Sequence, residues 1–280
     1  MAETMHLKIT HRTSYHYDEP VPYALQQIRK TPKNRSFQNI LSWTVALEGA
    51  TAQASFEDAH MNHVNLVSFN EGATDIIIHC EGEVEVTDTH GIIGAHSGFM
   101  PLWMFLRSTE LTRGGPAVRS LLRGFNTEGK VLDQLHRLSA TILDTVAYTP
   151  GETHAGTTAE EAIASGHGVC QDHAHVFVTA ARALGVPARY VSGYLLMEDR
   201  VDQDATHAWA EAHVDGLGWV AFDISNGQSP DARYVRVATG LDYLDASPVS
   251  GMRHGSANEE LKVALQVQAQ TQRQVQSPAG

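Results

Sequence analysis

This sequence has very few cysteines, no long apolar run and no recognisable export signal. Two cysteines among 280 residues cannot build a disulfide framework, and so few fit a reducing compartment. No apolar run reaches the length of a membrane span, and residues 1–6 provide neither the basic region nor the apolar core of a secretory signal. We therefore expect a cytoplasmic protein.

Basic residues are also in deficit. Lysine and arginine total 20 against 32 acidic residues, which gives a formal net charge of −12. Such a chain is repelled by nucleic-acid phosphates and anionic lipids, so neither nucleic acid nor a membrane is expected as a partner. The hydrophobic fraction of 42% is typical of a globular protein with one large domain or two ordinary ones. The oligomeric state is left open.

Metal-binding patterns are missing although the chain has 16 histidines. No Cys-x-x-Cys or His-Glu-x-x-His pattern occurs. His173 and His175 are two residues apart in a predicted helix, so they do not share a face. His207 and His213 share a strand face but lie about 20 Å apart. We therefore expect no metal and no other cofactor.

Residues 1–88 are predicted to form an all-β, sandwich-like domain. Four segments have strand-like composition or alternation, namely residues 6–16, 40–47, 63–69 and 75–86. Because no helical pattern separates them, an antiparallel sheet or sandwich is expected. Cys80 lies on the apolar face of the last segment and is expected to be buried and inert. His60 and His63 are interpreted as exposed histidines at strand ends.

Three further regions follow this domain. Residues 89–115 are interpreted as a linker that packs down through an apolar island at 99–106. Residues 116–240 are predicted to be a mixed core, with helices at 116–122, 128–146, 159–164 and 170–184 and strands at 188–197, 206–214 and 219–225. Residues 241–280 are predicted to be a β extension with a frayed, Gln-rich tail from residue 268 onward.

The most informative stretch is Gly166-His-Gly-Val-Cys170, where two glycines lead into a cysteine at the start of a helix. Cys170 shares a helix face with the apolar residues that follow it, and Gly185 ends the pattern. The helix dipole and the free N–H groups of the first turn favour a thiolate, which is the nucleophilic form. A catalytic cysteine and a small buried residue are equally good interpretations of this stretch alone.

A predicted hairpin supplies possible partners for this thiol. His207 and Trp209 lie on one face of the first strand, and Asp223 lies at the end of the second. His207 and Asp223 can point to the same side only if the connection has an odd number of residues or one strand bulges. Cys170, His207 and Asp223 would then be a nucleophile, a base and the carboxylate that orients the base.

At this point the sequence resembles the bacterial transglutaminase-like family. The resemblance rests on four segments in order, 166–175, 181–194, 207–211 and 218–223, and covers roughly residues 130–225. The N-terminal β region also resembles the domain that precedes this core in bacterial members. The resemblance implies an α+β fold with a papain-like transglutaminase core and a triad of Cys170, His207 and Asp223. Many members have Asp-Pro-Thr after the last of these strands, whereas this chain has Asp223-Ile224-Ser225. The acid of the triad is therefore kept, but the turn that follows it is expected to differ from that of those members.

Two other residues are weaker candidates for the site. The backbone N–H of Cys170 is a natural oxyanion donor, and Tyr148 is a possible second donor, although a core tyrosine is the slightly favoured interpretation. Trp209 either shields the base from water or is ordinary packing. Asp172 is interpreted as a first-turn acid that suits the helix dipole.

The expected function is that of a thiol enzyme acting on a peptide or protein amide through an acyl-enzyme on Cys170. Hydrolysis by a cysteine peptidase or amidase is preferred, because water needs no dedicated acceptor site. The alternatives are a transglutaminase that uses an amine acceptor and a binding or assembly module without turnover. An intact triad favours an enzyme over a binding module.

Overall fold

The computed structural model describes residues 2–198, 200–203 and 205–270. The strands are β1 (Thr4–Tyr17), β2 (Tyr23–Thr31), β3 (Gln38–Glu48), β4 (Ala50–Glu57), β5 (His63–Phe69), β6 (Asp75–Thr87), β7 (Ile92–Gly94), β8 (Ala147–Tyr148), β9 (His167–Gly168), β10 (Ala188–Leu195), β11 (Asp202–Gln203), β12 (His207–Val214), β13 (Gly218–Phe222), β14 (Tyr234–Gly240), β15 (Val249–His254) and β16 (Glu259–Ala269). The helices are α1 (Pro116–Leu121), α2 (Val131–Thr145), α3 (Ala159–Ser165), α4 (Cys170–Ala183) and α5 (Tyr243–Ala246), with a 3-10 helix at Leu102–Leu106. Residues 271–280 of the predicted frayed tail lie outside the described residues.

The N-terminal strands form a sandwich of two antiparallel sheets. One sheet has the order β11-β16-β1-β6-β3 and the other the order β15-β2-β5-β4. Alternate residues of β6 are buried, as the period of two predicts, and they pack with residues of the facing sheet such as Ile28 and Val67. Cys80 is fully buried in this core, as expected. Burial raises the pKa of its thiol to about 11, despite the opposing charge of Lys30.

The C-terminal extension is part of this sandwich. β16 pairs with β1 along its length, from Leu7 opposite Ala269 to Tyr17 opposite Glu259, and β15 pairs with β2. Residues near the two ends of the described chain therefore lie in the same sheets.

The core that carries the cysteine is a second unit, which is of the α+β type, and the predicted fold class is confirmed. Its antiparallel sheet has the order β14-β10-β12-β13-β7. Ala210, Ala212 and Phe222 face α2 and α4 and form the main core there. Helix α4 is buried on almost every side, because the neighbouring helices and the core sheet pack against it. A shared apolar cluster joins Val84 and Val267 of the sandwich to Tyr190 of the core sheet.

Several short elements were not expected from the sequence. β4 is exposed at nearly every residue and β2 is largely polar, so neither has an alternating apolar signal. The apolar island of the linker packs mainly through Phe105, whose ring lies 5.0 Å from that of Trp219, whereas Trp103 is exposed. Within the described part of the chain, no helix is both long enough and apolar enough to cross a membrane.

Candidate active site

Cys170 is the first residue of α4 and is half-buried. Gly166 ends α3 in the left-handed conformation, with a φ of 73°, and the chain then runs through the two residues of β9 and the extended N-cap Val169. At the first helical position the backbone N–H of Cys170 has no acceptor within the helix. The thiol therefore lies beside an unused backbone donor.

Asp172 holds this turn in shape. Its Oδ2 accepts a hydrogen bond from the Val169 N–H at 2.8 Å and another from the Thr153 hydroxyl at 2.7 Å. A Cβ at Gly168 would lie 2.7 Å from the Cβ of Asp172, so this position has room only for glycine. Burial raises the pKa of Asp172, against the effect of these donors. The contacts are those of a structural acid in the first turn.

The predicted hairpin is formed by β12 and β13. Ala210 lies opposite Phe222 and Val214 opposite Gly218, so the connection is residues 215–217 and has an odd length. His207 and Asp223 consequently point to the same side of the sheet. The Nε2 atom of His207 lies 2.6 Å from Oδ2 of Asp223, and both side chains are buried.

Two further donors hold Asp223. The Asn226 amide donates to Oδ2 at 2.7 Å, and the Tyr234 hydroxyl donates to the same oxygen at 2.8 Å. Burial raises the pKa of Asp223, but His207 and these donors outweigh burial and hold it below the usual value. The sequence analysis identified neither Asn226 nor Tyr234. An Asp followed by an Asn in a tight turn is a local signal that could have indicated Asn226.

The pKa of His207 reflects both of its neighbours. Burial alone lowers the pKa of this ring, but hydrogen bonds with Asp223 and Cys170 and the charges of these two groups raise it to about 10. Since Asp223 occupies Nε2, Nδ1 is the ring nitrogen left for the thiol. The structure thus brings the three predicted residues together, with the imidazole between the sulfur of Cys170 and the carboxylate of Asp223.

Trp209 covers the ring of His207. It is buried, and the two ring centroids are 6.2 Å apart with an angle of 30° between the planes. Gly193 on the neighbouring strand leaves room for it, because a Cβ there would lie 2.5 Å from the indole. The indole is thus packed beside the imidazole, and whether it shields the base or only fills space stays a prediction.

Tyr148 is not the core tyrosine that the sequence slightly favoured. This interpretation is wrong, because the side chain is 52% exposed. The residue lies in the two-stranded ladder β8–β9, beside the cysteine turn. So short a strand has no periodic pattern from which the exposure of one aromatic side chain could be predicted. Partial burial and the charges of Cys170 and Asp223 raise the pKa of Tyr148, so its hydroxyl is protonated near the site.

His173 links the cysteine helix to the turn after Asp223, a role that the sequence did not indicate. Its Nε2 lies 2.9 Å from the carbonyl oxygen of Val146, and its Nδ1 lies 2.8 Å from the Ser225 hydroxyl. Burial lowers the pKa of His173, which keeps the ring neutral. The neighbouring His175 contacts α5 instead, where its Nε2 accepts from the Tyr243 N–H at 3.1 Å.

Two family models match the chain. The model of the transglutaminase-like superfamily matches residues 119–224, and the model of the bacterial transglutaminase-like N-terminal region matches residues 7–85. The first range contains Cys170, His207 and Asp223, and the second covers most of the N-terminal strands of the sandwich. The chain belongs to the bacterial transglutaminase-like family, as its motifs indicated.

Similar proteins align with this chain over nearly its whole length. Uncharacterized proteins of Mycobacterium tuberculosis and Mycobacterium leprae are 28% and 24% identical to this chain and align over 95% and 93% of it, which is 94% and 98% of their own lengths. A solved structure named "a Putative Cysteine Protease from Cytophaga hutchinsonii" is 21% identical, with a TM-score of 0.78 over 97% of this chain and 93% of that one. This likeness extends across both the sandwich and the core.

Proposed function

We propose that this protein is a cysteine peptidase or amidase that cleaves peptide or protein amides through an acyl-enzyme on Cys170. The observation that carries the proposal is the 2.6 Å contact between His207 and Asp223 beside a cysteine at the start of a helix. The assigned roles are nucleophile for Cys170, general acid and base for His207 and orienting group for Asp223.

In the acylation step the Cys170 thiolate attacks the amide carbonyl carbon. The developing oxyanion accepts a hydrogen bond from the backbone N–H of Cys170, and the half-exposed Tyr148 hydroxyl is our candidate for the second donor. As the C–N bond breaks, the His207 imidazolium gives its proton to the leaving amine. A thioester on Cys170 and a neutral His207 remain.

In the deacylation step water replaces the amine. His207 removes a proton from the water as its oxygen attacks the thioester, and the C–S bond then breaks to release a carboxylic acid and the thiolate. Asp223, with donors from Asn226 and Tyr234, keeps Nδ1 of His207 directed toward the thiol in both steps.

Amine transfer is the alternative enzymatic outcome, and a binding or assembly module is the alternative without chemistry. A primary amine would attack the same thioester in place of water and form a new amide. We favour water because it needs no acceptor site. The burial of His207 and Asp223 in a single network favours an enzyme over a binding module, since buried ionisable groups are costly unless they are paired.

The test uses a library of peptide amides, with and without a primary amine, and mass spectrometry of the products. We expect a carboxylic acid product in both cases, and Cys170→Ala should reduce turnover at least roughly 10³-fold without loss of folding. Cys80→Ala is the matched control and should retain activity. Products in which the added primary amine has formed a new amide with the acyl group would favour the acyltransferase. Full activity in folded Cys170→Ala would refute the proposal.

A further inference from the structure

A cavity lies between the sandwich and the core sheet, away from the thiol. Its volume is about 300 Å³, and three arginines line it, Arg35, Arg189 and Arg236. Ser36 and Ser97 at its edge are exposed, so the cavity is open to solvent. It is large enough for a small molecule of several non-hydrogen atoms.

The wall of this cavity has a large excess of positive charge. None of the described residues that line it is an aspartate or a glutamate. The carboxylate next to it is Glu211, which is fully buried and accepts hydrogen bonds from Arg189 at 2.6 Å and from Arg236 at 2.7 Å. The lining residues thus carry three guanidinium groups and no carboxylate, in a chain whose net charge is −12. Glu57, whose charge acts on Arg35, and Asp245, which contacts His60, lie behind this wall and offset part of its charge, as Glu211 does.

Two of the arginines are held rigidly. Glu211 fixes Arg189 and Arg236, and the guanidinium of Arg189 also lies 3.9 Å from the centre of the Trp219 ring. Both side chains are almost completely buried. A rigid, desolvated pair of guanidinium groups loses little entropy when it binds a ligand.

The third arginine lacks such a partner. Among the described residues, none forms a hydrogen bond or ion pair with the guanidinium of Arg35. The charge of Arg236, together with burial, lowers the pKa of Arg35 to about 10, against the opposing charges of Glu211 and Glu57. The two guanidinium groups repel each other, and an anion between them would relieve this repulsion.

His60 adds an unused polar atom to the same wall. Its side chain is 9% exposed, so the expectation of an exposed histidine is wrong. Nε2 lies 3.1 Å from Asp245, whereas Nδ1 is buried without a hydrogen-bond partner in the described chain. A buried ring nitrogen without a partner costs free energy unless a ligand or water meets it.

We propose that this cavity binds a small molecule through a phosphate monoester group held by Arg35, Arg189 and Arg236. A phosphate monoester carries a charge close to −2 at neutral pH, which is complementary in sign to the three guanidinium groups of the wall. Its three oxygens suit the planar fork of guanidinium groups, which bind phosphate in a bidentate way. The remaining volume and His60 accommodate the rest of the ligand.

This site is distinct from the thiol site. Glu211 is four residues from His207 on β12, which corresponds to about 13 Å along the strand, and the buried ring of Trp209 lies between them. The proposal does not rest on catalysis by Cys170, so Cys170→Ala protein should bind the ligand as the unmodified chain does.

The experiment is calorimetric titration of the full chain with inorganic phosphate at neutral pH and low ionic strength, with malonate as a second probe. We expect saturable binding of one phosphate, weakened at least about tenfold in Arg35→Gln, because a charge-assisted hydrogen bond is lost. Arg123→Gln removes the same charge from an exposed side chain and should leave the affinity unchanged.

Thermal unfolding separates binding from folding. Without phosphate, Arg35→Gln should unfold at the same temperature as the unmodified chain or higher, since it removes a repulsion. With phosphate, it should show much less stabilisation than the unmodified chain. Absence of saturable phosphate binding, equal affinity in Arg35→Gln, or tighter binding of malonate than of phosphate would each overturn the proposal.

Discussion

At the level of single residues, the network around Asp223 decides how well His207 can act. One carboxylate oxygen receives contacts from three side chains, those of His207, Asn226 and Tyr234. Tyr234 is buried, so its hydroxyl has little access to water as an alternative partner. The hydroxyl thus stabilises the ionised form of Asp223 and fixes its direction toward His207.

Tyr234→Phe should therefore lower kcat about three- to thirtyfold with little change in KM, because one donor to a buried charge is lost. The pKa of Asp223 should rise, which moves the acid limb of the pH–rate profile to higher pH. Tyr17→Phe is the matched control, since Tyr17 donates to Glu259 at 3.0 Å within the sandwich. An unchanged acid limb in Tyr234→Phe would contradict the assigned role.

At the level of elements, the turn before α4 fixes the position of the thiol. Gly168 lies against Asp172 with no space for a Cβ, and Asp172 in turn holds Val169. Any side chain at residue 168 must displace the turn or break the hydrogen bond, and either change moves Cys170.

We predict that Gly168→Ala lowers kcat/KM at least about tenfold, because small displacements of a reacting group are costly. Gly114→Ala is the control: its Cβ would meet neighbours at an ordinary 3.6 Å, so its activity should be close to that of the unmodified protein. Steady-state kinetics on one peptide amide compares the two variants. Equal activity in both would mean that the turn is not rigid.

The sequence predicted the elements that have a strong period. β5 has the expected bounds, residues 63–69, and α4 begins at Cys170 as its apolar spacing indicated. The same periodicity brought His207 and Asp223 to one face. β2 and β4 were missed because a strand with polar or exposed residues on both faces has no such period.

Contacts between strands that are not neighbours in a sheet, or that belong to different sheets, were beyond the sequence. Tyr234 reaches Asp223 from the edge strand β14, although β10 and β12 lie between β14 and β13 in the sheet order. Gln38 of the sandwich donates to the carbonyl of Arg236, 198 residues away. The register between non-adjacent strands is set by packing of whole layers, which local patterns do not encode. The arginine cavity belongs to the same class of features.

In the whole molecule, the sandwich and the core share one apolar cluster. Val267 on β16 is fully buried in it together with Tyr194 of β10, so residues near the C-terminus help to support the sheet that carries the site. The two units should therefore respond together when this cluster is disturbed.

Val267→Asp should lower the free energy of unfolding by more than about 3 kcal/mol, because it buries an unpaired carboxylate between the units. Gln268→Asp, one residue further along the same strand and exposed, should change it by less than about 0.5 kcal/mol. Urea unfolding measures both variants. A small effect of Val267→Asp would mean that the two units are not coupled through this cluster.

The most direct measurement is the rate of iodoacetamide alkylation of Cys170 across pH, read by peptide mapping with Cys80 as internal reference. His207 has its pKa raised to about 10, so its positive charge is present below that pH and is lost as pH rises through it. We predict that Cys170 reacts far faster than Cys80 at neutral pH, and that its rate at mildly acidic pH falls at least about tenfold in His207→Ala. Equal labelling of the two cysteines in the native protein, or a rate at Cys170 that is unaffected by His207→Ala, would show that Cys170 is not an activated nucleophile.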